Sequence, residues 1–137
     1  MSEAMSTYGM FSWNELITTD PEAAKEFYTQ LFGWTAEEYP IGDFKYLIVK
    51  AGGKEIAGIM PVPEQAKGMK PTWGSYVTVD DVDATAAKAQ KLGGTICVPP
   101  KDIPSVGRFT VIQDPHGAMI AAKSSGITDA ASRERLD

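Results

Sequence analysis

The sequence predicts an α+β fold: one βαβββ module written twice, the two copies forming a cupped mixed sheet around a cavity. Three observations lead there. First, LITTDPEAAKEFYTQLFGWT at 16–35 slides onto VTVDDVDATAAKAQKLGGTI at 77–96, a shift of 61 positions. Asp20 falls on Asp81, Ala23 on Ala84, Leu31 on Leu92 and Gly33 on Gly94, the kind of self-similarity that marks a repeated unit. Second, each copy has the same order of signals: a strand-like run, an aspartate, a helical stretch, then three short strand-like runs. Third, PVPEQAKGMKP at 61–71 lies between the copies and reads as an exposed linker. The predicted layout is a single domain over 1–137. Its first module spans about 10–63, its second about 72–124, and a polar tail fills 125–137. Each module exposes one apolar sheet face, and two such faces can enclose a cavity.

The elements follow in order. FSWNELITT at 11–19 reads as the first strand, and Asp20 is placed to cap the helix after it. Pro21 sits at the first helical position, where its missing N–H costs nothing, and Glu22 puts negative charge in the first turn. Ala23, Ala24, Phe27, Tyr28 and Leu31 recur at helical spacing and predict one apolar face. Gly33 suits the position that ends the helix. WTAEEYP, FKYLIVKA and EIAGIMPV then read as strands divided by the turns IGD and GGK. The second copy opens with TWGSYVTV at 72–79, capped by Asp81 with Asp83 in the first turn. Its helical stripe, carried over from the first copy, is Ala84, Thr85, Lys88, Ala89 and Leu92, with Leu92 as anchor and Gly94 as terminator. TICVPP, RFTVIQD and AMIAAKS follow, divided by SVG and DPHG.

Composition bounds the function. Apolar residues are 43% and charged residues 23% of the chain, as expected of a soluble globular protein. One cysteine, Cys97, allows no intramolecular disulfide, which fits a reducing cytoplasm. The start MSEAMSTYGMF has neither the basic nor the apolar region of a signal peptide. No apolar run is long enough to span a membrane. The net charge is −5 and the thirteen basic residues are scattered, KGMK being the longest cluster, so nucleic acid is not the expected partner. The tail ITDAASRERLD is expected to fray or to form a short surface helix.

DPEAAKEFYTQLFGW at 20–34, VDDVDA at 79–84 and DPHG at 114–117 together resemble the vicinal oxygen chelate superfamily, which includes glyoxalase I, bleomycin resistance proteins and extradiol dioxygenases. The WNEL…FGW version is similar to a glyoxalase-like branch, and the resemblance covers about 10–124. It implies a homodimer and, in metal-binding members, ligands from four strand positions. Carried onto this chain, three of those positions hold Trp13, Gly74 and Ala121, and the fourth lies near Met60. Such side chains cannot make a hard-cation or zinc site, so no metal and no other cofactor is expected.

Strand alternation puts Trp13, Glu15 and Ile17 on one face and Leu16 on the other. By the same count Gly74, Tyr76 and Thr78 share a face, as do Met119, Ala121 and Lys123. The expected small-molecule site is therefore lined by Trp13, Tyr76, Met119 and Ala121, with Glu15 and Thr78 as polar points. Glu15 is the candidate base; the bland alternative is that it is solvated or pairs with a cation such as Lys123. Trp34 is expected to pack beside the first helix. The single histidine, His116, is expected as an exposed turn residue and Cys97 as a buried inert thiol. Two functions stay open: a metal-free protein that traps a small, partly aromatic molecule, or a glyoxalase-like lyase, isomerase or hydrolase using a non-standard metal site or Glu15 as general base. A purely structural subunit is the third, weaker reading.

Overall fold

The computed structural model describes residues 7–41, 44–103 and 107–125. Its elements run β1 (Phe11–Thr18), α1 (Pro21–Phe32), β2 (Thr35–Ile41), β3 (Phe44–Ala51), β4 (Lys54–Pro61), a 3-10 turn (Glu64–Ala66), β5 (Thr72–Thr78), α2 (Val82–Lys91), β6 (Thr95–Ile103), β7 (Gly107–Gln113) and β8 (Met119–Ser125). This is βαβββ twice, as the repeat predicts. The predicted turns IGD and SVG fall wholly or partly on residues outside the described ones, and so does almost all of the predicted tail 125–137.

The chain divides into two compact units. One is Trp13–Gly74; the other joins the described residues before Trp13 to those from Ser75 onward. The seam therefore cuts through β1 and β5. The short N-terminal stretch goes with the second unit, because Gly9 N–H donates to Thr78 O at 2.8 Å and Thr78 N–H to Met10 O at 2.9 Å.

In the first unit the strand order is β2-β3-β4-β1. β1 and β4 are parallel; the other pairs are antiparallel. Leu16, Leu47, Val49, Ala57 and Ile59 form its buried core, with Ala24 and Tyr28 of α1 and Trp34 packed against it. Trp34 thus sits beside the helix, as expected. The helix begins where Asp20 accepts a hydrogen bond from Ala23 N–H at 3.0 Å and ends at Gly33, whose φ of 74° is left-handed. Its predicted apolar face is only half used. Ala24 and Tyr28 point inward, whereas Phe27 and Leu31 are 59% and 56% exposed.

In the second unit the order is β5-β8-β7-β6, with β5 and β8 parallel. The core is smaller: Val79, Val82 and Ala122, with Val77 against them. Asp81 caps α2 through Ala84 N–H at 3.0 Å. Three expectations need correction here. Leu92 is 69% exposed and anchors nothing; α2 buries Val82 and Ala86 instead, because its own apolar residues, not those carried over by the repeat, set the inward face. The left-handed terminator is Gly93 at φ 95°, while a Cβ on Gly94 would meet the carbonyl oxygens of Ala89 and Gln113 at 3.1 Å. Cys97 is exposed, not buried. It lies on β6, the last strand in the order, whose residues alternate between exposed and half-buried, and the alternation turns Cys97 outward.

Candidate functional site

The first unit carries a buried hydrogen-bonded line. Leu16 faces the core, so its neighbour Glu15 faces the opposite side of the sheet. Glu15 is opposite Gly58 on β4, and Gly58 is opposite Ile48 on β3. Tyr46, two residues from Ile48, shares that face. Its ring lies across β4 above Gly58, where a Cβ would coincide with the tyrosine oxygen; a bare strand glycine is what admits so close an approach. The phenol then bridges two partners. Trp13 Nε1–H donates to Tyr46 Oη at 2.9 Å, and Tyr46 O–H donates to Glu15 Oε2 at 2.8 Å. Glu15 and Tyr46 are each 8% exposed. A carboxylate taken this far from water needs such charge-assisted partners.

The second unit carries an aromatic version of the same face. Tyr76 is opposite Ala121, and Thr78 is opposite Lys123, along β5 and β8. On β7, Val111 is opposite Ala121 and Phe109 is opposite Lys123. The rings of Tyr76 and Phe109 are 6.4 Å apart at 56°. Lys123 Nζ lies 6.0 Å from the centre of the Tyr76 ring, at the outer limit of a cation–π contact. Tyr76, Thr78 and Ala121 are buried; Met119, at the start of β8, is 56% exposed.

Of the six predicted lining residues, Trp13 and Glu15 are joined in one unit through Tyr46, and Tyr76 and Ala121 are paired on neighbouring strands of the other. Thr78 follows on the same strand as Tyr76. Met119 stands apart at the solvent edge. Two open grooves of about 300 and 330 Å³ in the first unit, lined in part by Thr19, Pro61, Val62 and Met69, contain none of the six.

The register also settles which residue matches Ala121. Glu15 pairs with Gly58 as Tyr76 pairs with Ala121, so Gly58, two residues before Met60, is the first unit's counterpart of Ala121. An indole, two glycines and a methyl group offer no oxygen, imidazole or thiolate donor, and they do not fit a divalent metal. Among the described residues, no three His, Cys, Asp or Glu side chains gather as a metal-holding group. His116 is exposed in the turn before β8, where its N–H donates to Asp114 Oδ1 at 2.8 Å.

Tyr46 and Gly58 were beyond sequence reasoning about Trp13 and Glu15, though one signal was present. A glycine inside the strand KEIAGIMP marks a bulge or a close approach. It does not say which side chain approaches.

The family model described as Glyoxalase/Bleomycin resistance protein/Dioxygenase superfamily matches residues 10–122. The "Putative glyoxylase CFP32" of Mycobacterium tuberculosis is 43% identical over 115 residues, 82% of this chain and 44% of that protein. The anthracycline biosynthesis protein DnrV of Streptomyces peucetius is 31% identical, over 90% of this chain and 50% of its own length. The chain thus spans about half the length of the curated relatives it matches. Among solved structures, methylmalonyl-CoA epimerase from Mycobacterium tuberculosis superposes with a TM-score of 0.64 at 18% identity, covering 96% of each chain. A methylmalonyl-CoA epimerase in complex with methylmalonyl-CoA and NH4+ gives 0.62 at 18% identity, over 88% of this chain and 97% of the other. At that identity the likeness is one of fold. Among the described residues no helix is long and apolar enough to cross a membrane.

Proposed function

This chain belongs to the glyoxalase/bleomycin resistance protein/dioxygenase superfamily, and on that premise we propose that it binds a small, partly aromatic molecule without a resident divalent metal or other cofactor. The observation that carries this reading is the line Trp13–Tyr46–Glu15. It offers a buried carboxylate to a ligand O–H or N–H, and an indole held in a fixed plane beside it. Tyr76, Thr78, Met119 and Ala121 are the ligand-facing residues of the second unit in this proposal. The name of the anthracycline biosynthesis relative supports a planar aromatic ligand class. In the same reading the protein works in the cytoplasm as a homodimer, with neither nucleic acid nor membrane as partner. The net charge of −5 and the scattered basic residues support the exclusion of nucleic acid.

The experiment is a fluorescence titration of the full chain with a panel of planar phenols and quinones. Stacking quenches tryptophan emission, and Trp13→Ala removes most of the quenching and weakens binding roughly thirtyfold, as for a buried aromatic anchor of about 2 kcal/mol. Trp34→Phe leaves the affinity alone. Both variants must melt cooperatively. Equal affinity in a folded Trp13→Ala protein overturns the assignment. One divalent metal per chain by elemental analysis, after purification without chelator, overturns its metal-free part.

A second reading is an enzyme with Glu15 as general base. The burial of Glu15 against a phenol donor favours it, and so does the glyoxylase name of the mycobacterial relative. Here Glu15→Gln, which keeps an acceptor oxygen but cannot take a proton, abolishes deuterium exchange into an activated C–H of the ligand and leaves binding within about threefold of the parent.

A further inference from the structure

The line Trp13–Tyr46–Glu15 has a direction. An indole N–H can only donate, a carboxylate can only accept, and a phenol does both with a single proton. Trp13 Nε1–H points at Tyr46 Oη, and the phenol's own proton goes on to Glu15 Oε2. Every proton in the line is aimed at Glu15, and the line ends on an acceptor. A carboxylate accepts at about four positions, of which the phenol takes one. Tyr46 and Glu15 are buried, whereas Trp13 is half-buried, so the indole is the part of the line that a ligand ring reaches first. Trp13 and Glu15 lie on one face of β1, two residues and roughly 7 Å apart at about 3.4 Å per residue. A ring stacked on the indole brings a substituent at its far end to the carboxylate.

We infer that the site selects its ligand by polarity as well as by shape: it takes an arene that bears a hydrogen-bond donor, a hydroxyarene or an arylamine, and rejects arenes that carry only acceptors or a negative charge. The inference rests on the reading of a small, partly aromatic ligand and names its substituent. A donor is matched by Glu15. An ether or quinone oxygen in the same place meets the acceptor end of the line with no proton between them, and loses its water without a replacement bond. A second carboxylate meets like charge in a buried setting. Tyr46 is a positioning residue in this scheme. It need not touch the ligand. Its proton fixes Oε2 of Glu15, and its oxygen fixes the plane of the indole. Gly58 belongs to the same device, because the phenol crosses β4 where a Cβ would stand.

Calorimetric titration of the full chain at neutral pH with naphthol, its methyl ether and naphthoate tests this, since the three share one ring system and differ in one group. Naphthol binds about tenfold tighter than the ether, the loss expected when a donor to a charged acceptor gives way to a group that cannot donate. Naphthoate binds more weakly still. In Tyr46→Phe the carboxyl loses the bond that fixes Oε2, and the naphthol-to-ether ratio falls below about threefold. A purely structural role would weaken both ligands and leave their ratio alone. Glu15→Leu with Tyr46→Phe replaces both partners by apolar groups, which a fold tolerates better than the loss of one. In that double variant the ether binds tighter than naphthol, and it decides alone where Tyr46→Phe does not melt cooperatively. A parent that binds none of the three overturns the aromatic-ligand reading and the inference with it. A parent that binds the ether or naphthoate as tightly as naphthol, with Trp13→Ala weakening all of them, overturns the donor selection and leaves the aromatic reading standing. A ratio that stays unchanged in folded Tyr46→Phe overturns the positioning role of Tyr46.

Discussion

The two modules share a backbone plan and differ in what they put on the same sheet face. Register makes the comparison residue by residue. Glu15 corresponds to Tyr76, Gly58 to Ala121, Tyr46 to Phe109 and Met60 to Lys123. Where the first module has carboxylate, glycine and phenol, the second has phenol, methyl and phenyl, with a cation at the end. The exchanges are coupled. A hydroxyl that must reach across β4 to Glu15 needs the strand beneath it bare, and Gly58 supplies that. A phenyl ring that makes only a tilted contact with Tyr76 at 6.4 Å needs no such passage, and Ala121 keeps its Cβ. A repeated architecture therefore fixes positions, while the chemistry at each position is chosen in sets.

The sharpest way to break this coupling is Gly58→Ala. The new methyl occupies the place of the tyrosine oxygen, so the ring must leave and both hydrogen bonds go with it. Overpacking and the lost bonds together should cost about 3 kcal/mol, a fall in melting temperature on the order of 10 °C for a chain of this size. Adding Tyr46→Ala should return part of that loss, since the clash then has no second party. Ala121→Gly, the reverse change in the other module, should cost only about 1 kcal/mol, the ordinary penalty of a strand glycine. Calorimetry of the three variants checks the set, and equal losses for Gly58→Ala and Ala121→Gly would sink the claim that only one module needs the gap.

Tyr46→Phe asks for less. The ring stays and only the oxygen goes, and with it the hydrogen bond from Trp13 Nε1–H and the one to Glu15 Oε2. The expected cost is about 2 kcal/mol. Phe109→Tyr adds a hydroxyl where no carboxylate waits at the counterpart position, and should be neutral or mildly destabilising. If urea melts show Tyr46→Phe within 0.5 kcal/mol of the parent, a threshold of roughly the scatter among surface substitutions, the line Trp13–Tyr46–Glu15 does not hold the module together.

This also explains what could be read in advance. The order of elements, both aspartate caps and the face of Trp13 and Glu15 follow from local rules: capping, turn residues and a period of two. The partner of Glu15 does not, because Tyr46 is 31 residues away in sequence and arrives only through the pairing of β3 with β4 and of β4 with β1. Cys97 misled for the same reason. An Ile-Cys-Val run looks internal, and only the strand order shows β6 at the end of its sheet. Helix α1 misled in a different way. Its apolar stripe is wide enough to suggest burial all along, yet the core takes one row and leaves Phe27 and Leu31 outside.

A smaller effect separates the modules at the surface. Arg108 donates to both Asp83 oxygens at 2.9 and 3.0 Å and to Asp102 at 3.0 Å, and these hydrogen bonds hold its guanidinium above its usual range. It ties α2 to β6 and β7. Among the described residues, the first module answers with single lysine pairs, Lys50 to Glu37 at 2.8 Å and Lys45 to Glu38 at 3.7 Å. All the carboxylates are well exposed, so even the forked pair is worth under about 1 kcal/mol. Arg108→Gln should lower stability by that amount in low salt and by less in 0.5 M salt, whose Debye length of roughly 4 Å screens such pairs. A loss that does not shrink with salt would mean that Arg108 acts through packing of its stem.

The smallest expected effect lies in the hairpins, which solve one problem by two means. Between β3 and β4 the chain turns on Gly52 and Gly53 at φ 58° and 79°, both left-handed, as a two-residue hairpin requires. Between β7 and β8 the turn is DPHG, held by a side chain. Asp114 Oδ1 accepts from His116 N–H at 2.8 Å and from Ala118 N–H at 3.0 Å. Those N–H groups, Ala118 first and His116 second, hold the Asp114 carboxyl below its usual range. A carboxyl whose folded pKa is depressed stabilises the turn above its unfolded pKa, near 4, and that contribution fades as pH falls through the lower folded value. The glycine turn has no titrating group in it. Lowering the pH from 5 towards 2 should therefore reduce the protection of His116 and Ala118 against hydrogen exchange, relative to the intrinsic rate, while that of Gly52 and Gly53 stays constant, and carbon-detected NMR should place the Asp114 midpoint below the ordinary aspartate value near 4. Asp114→Asn, which keeps the acceptor oxygen and removes the charge, should flatten the pH response while retaining the turn. If the amides of both hairpins open together as the pH drops, the acid response belongs to the whole protein, and the distinction between a turn made by backbone and a turn made by a carboxylate has no energetic content.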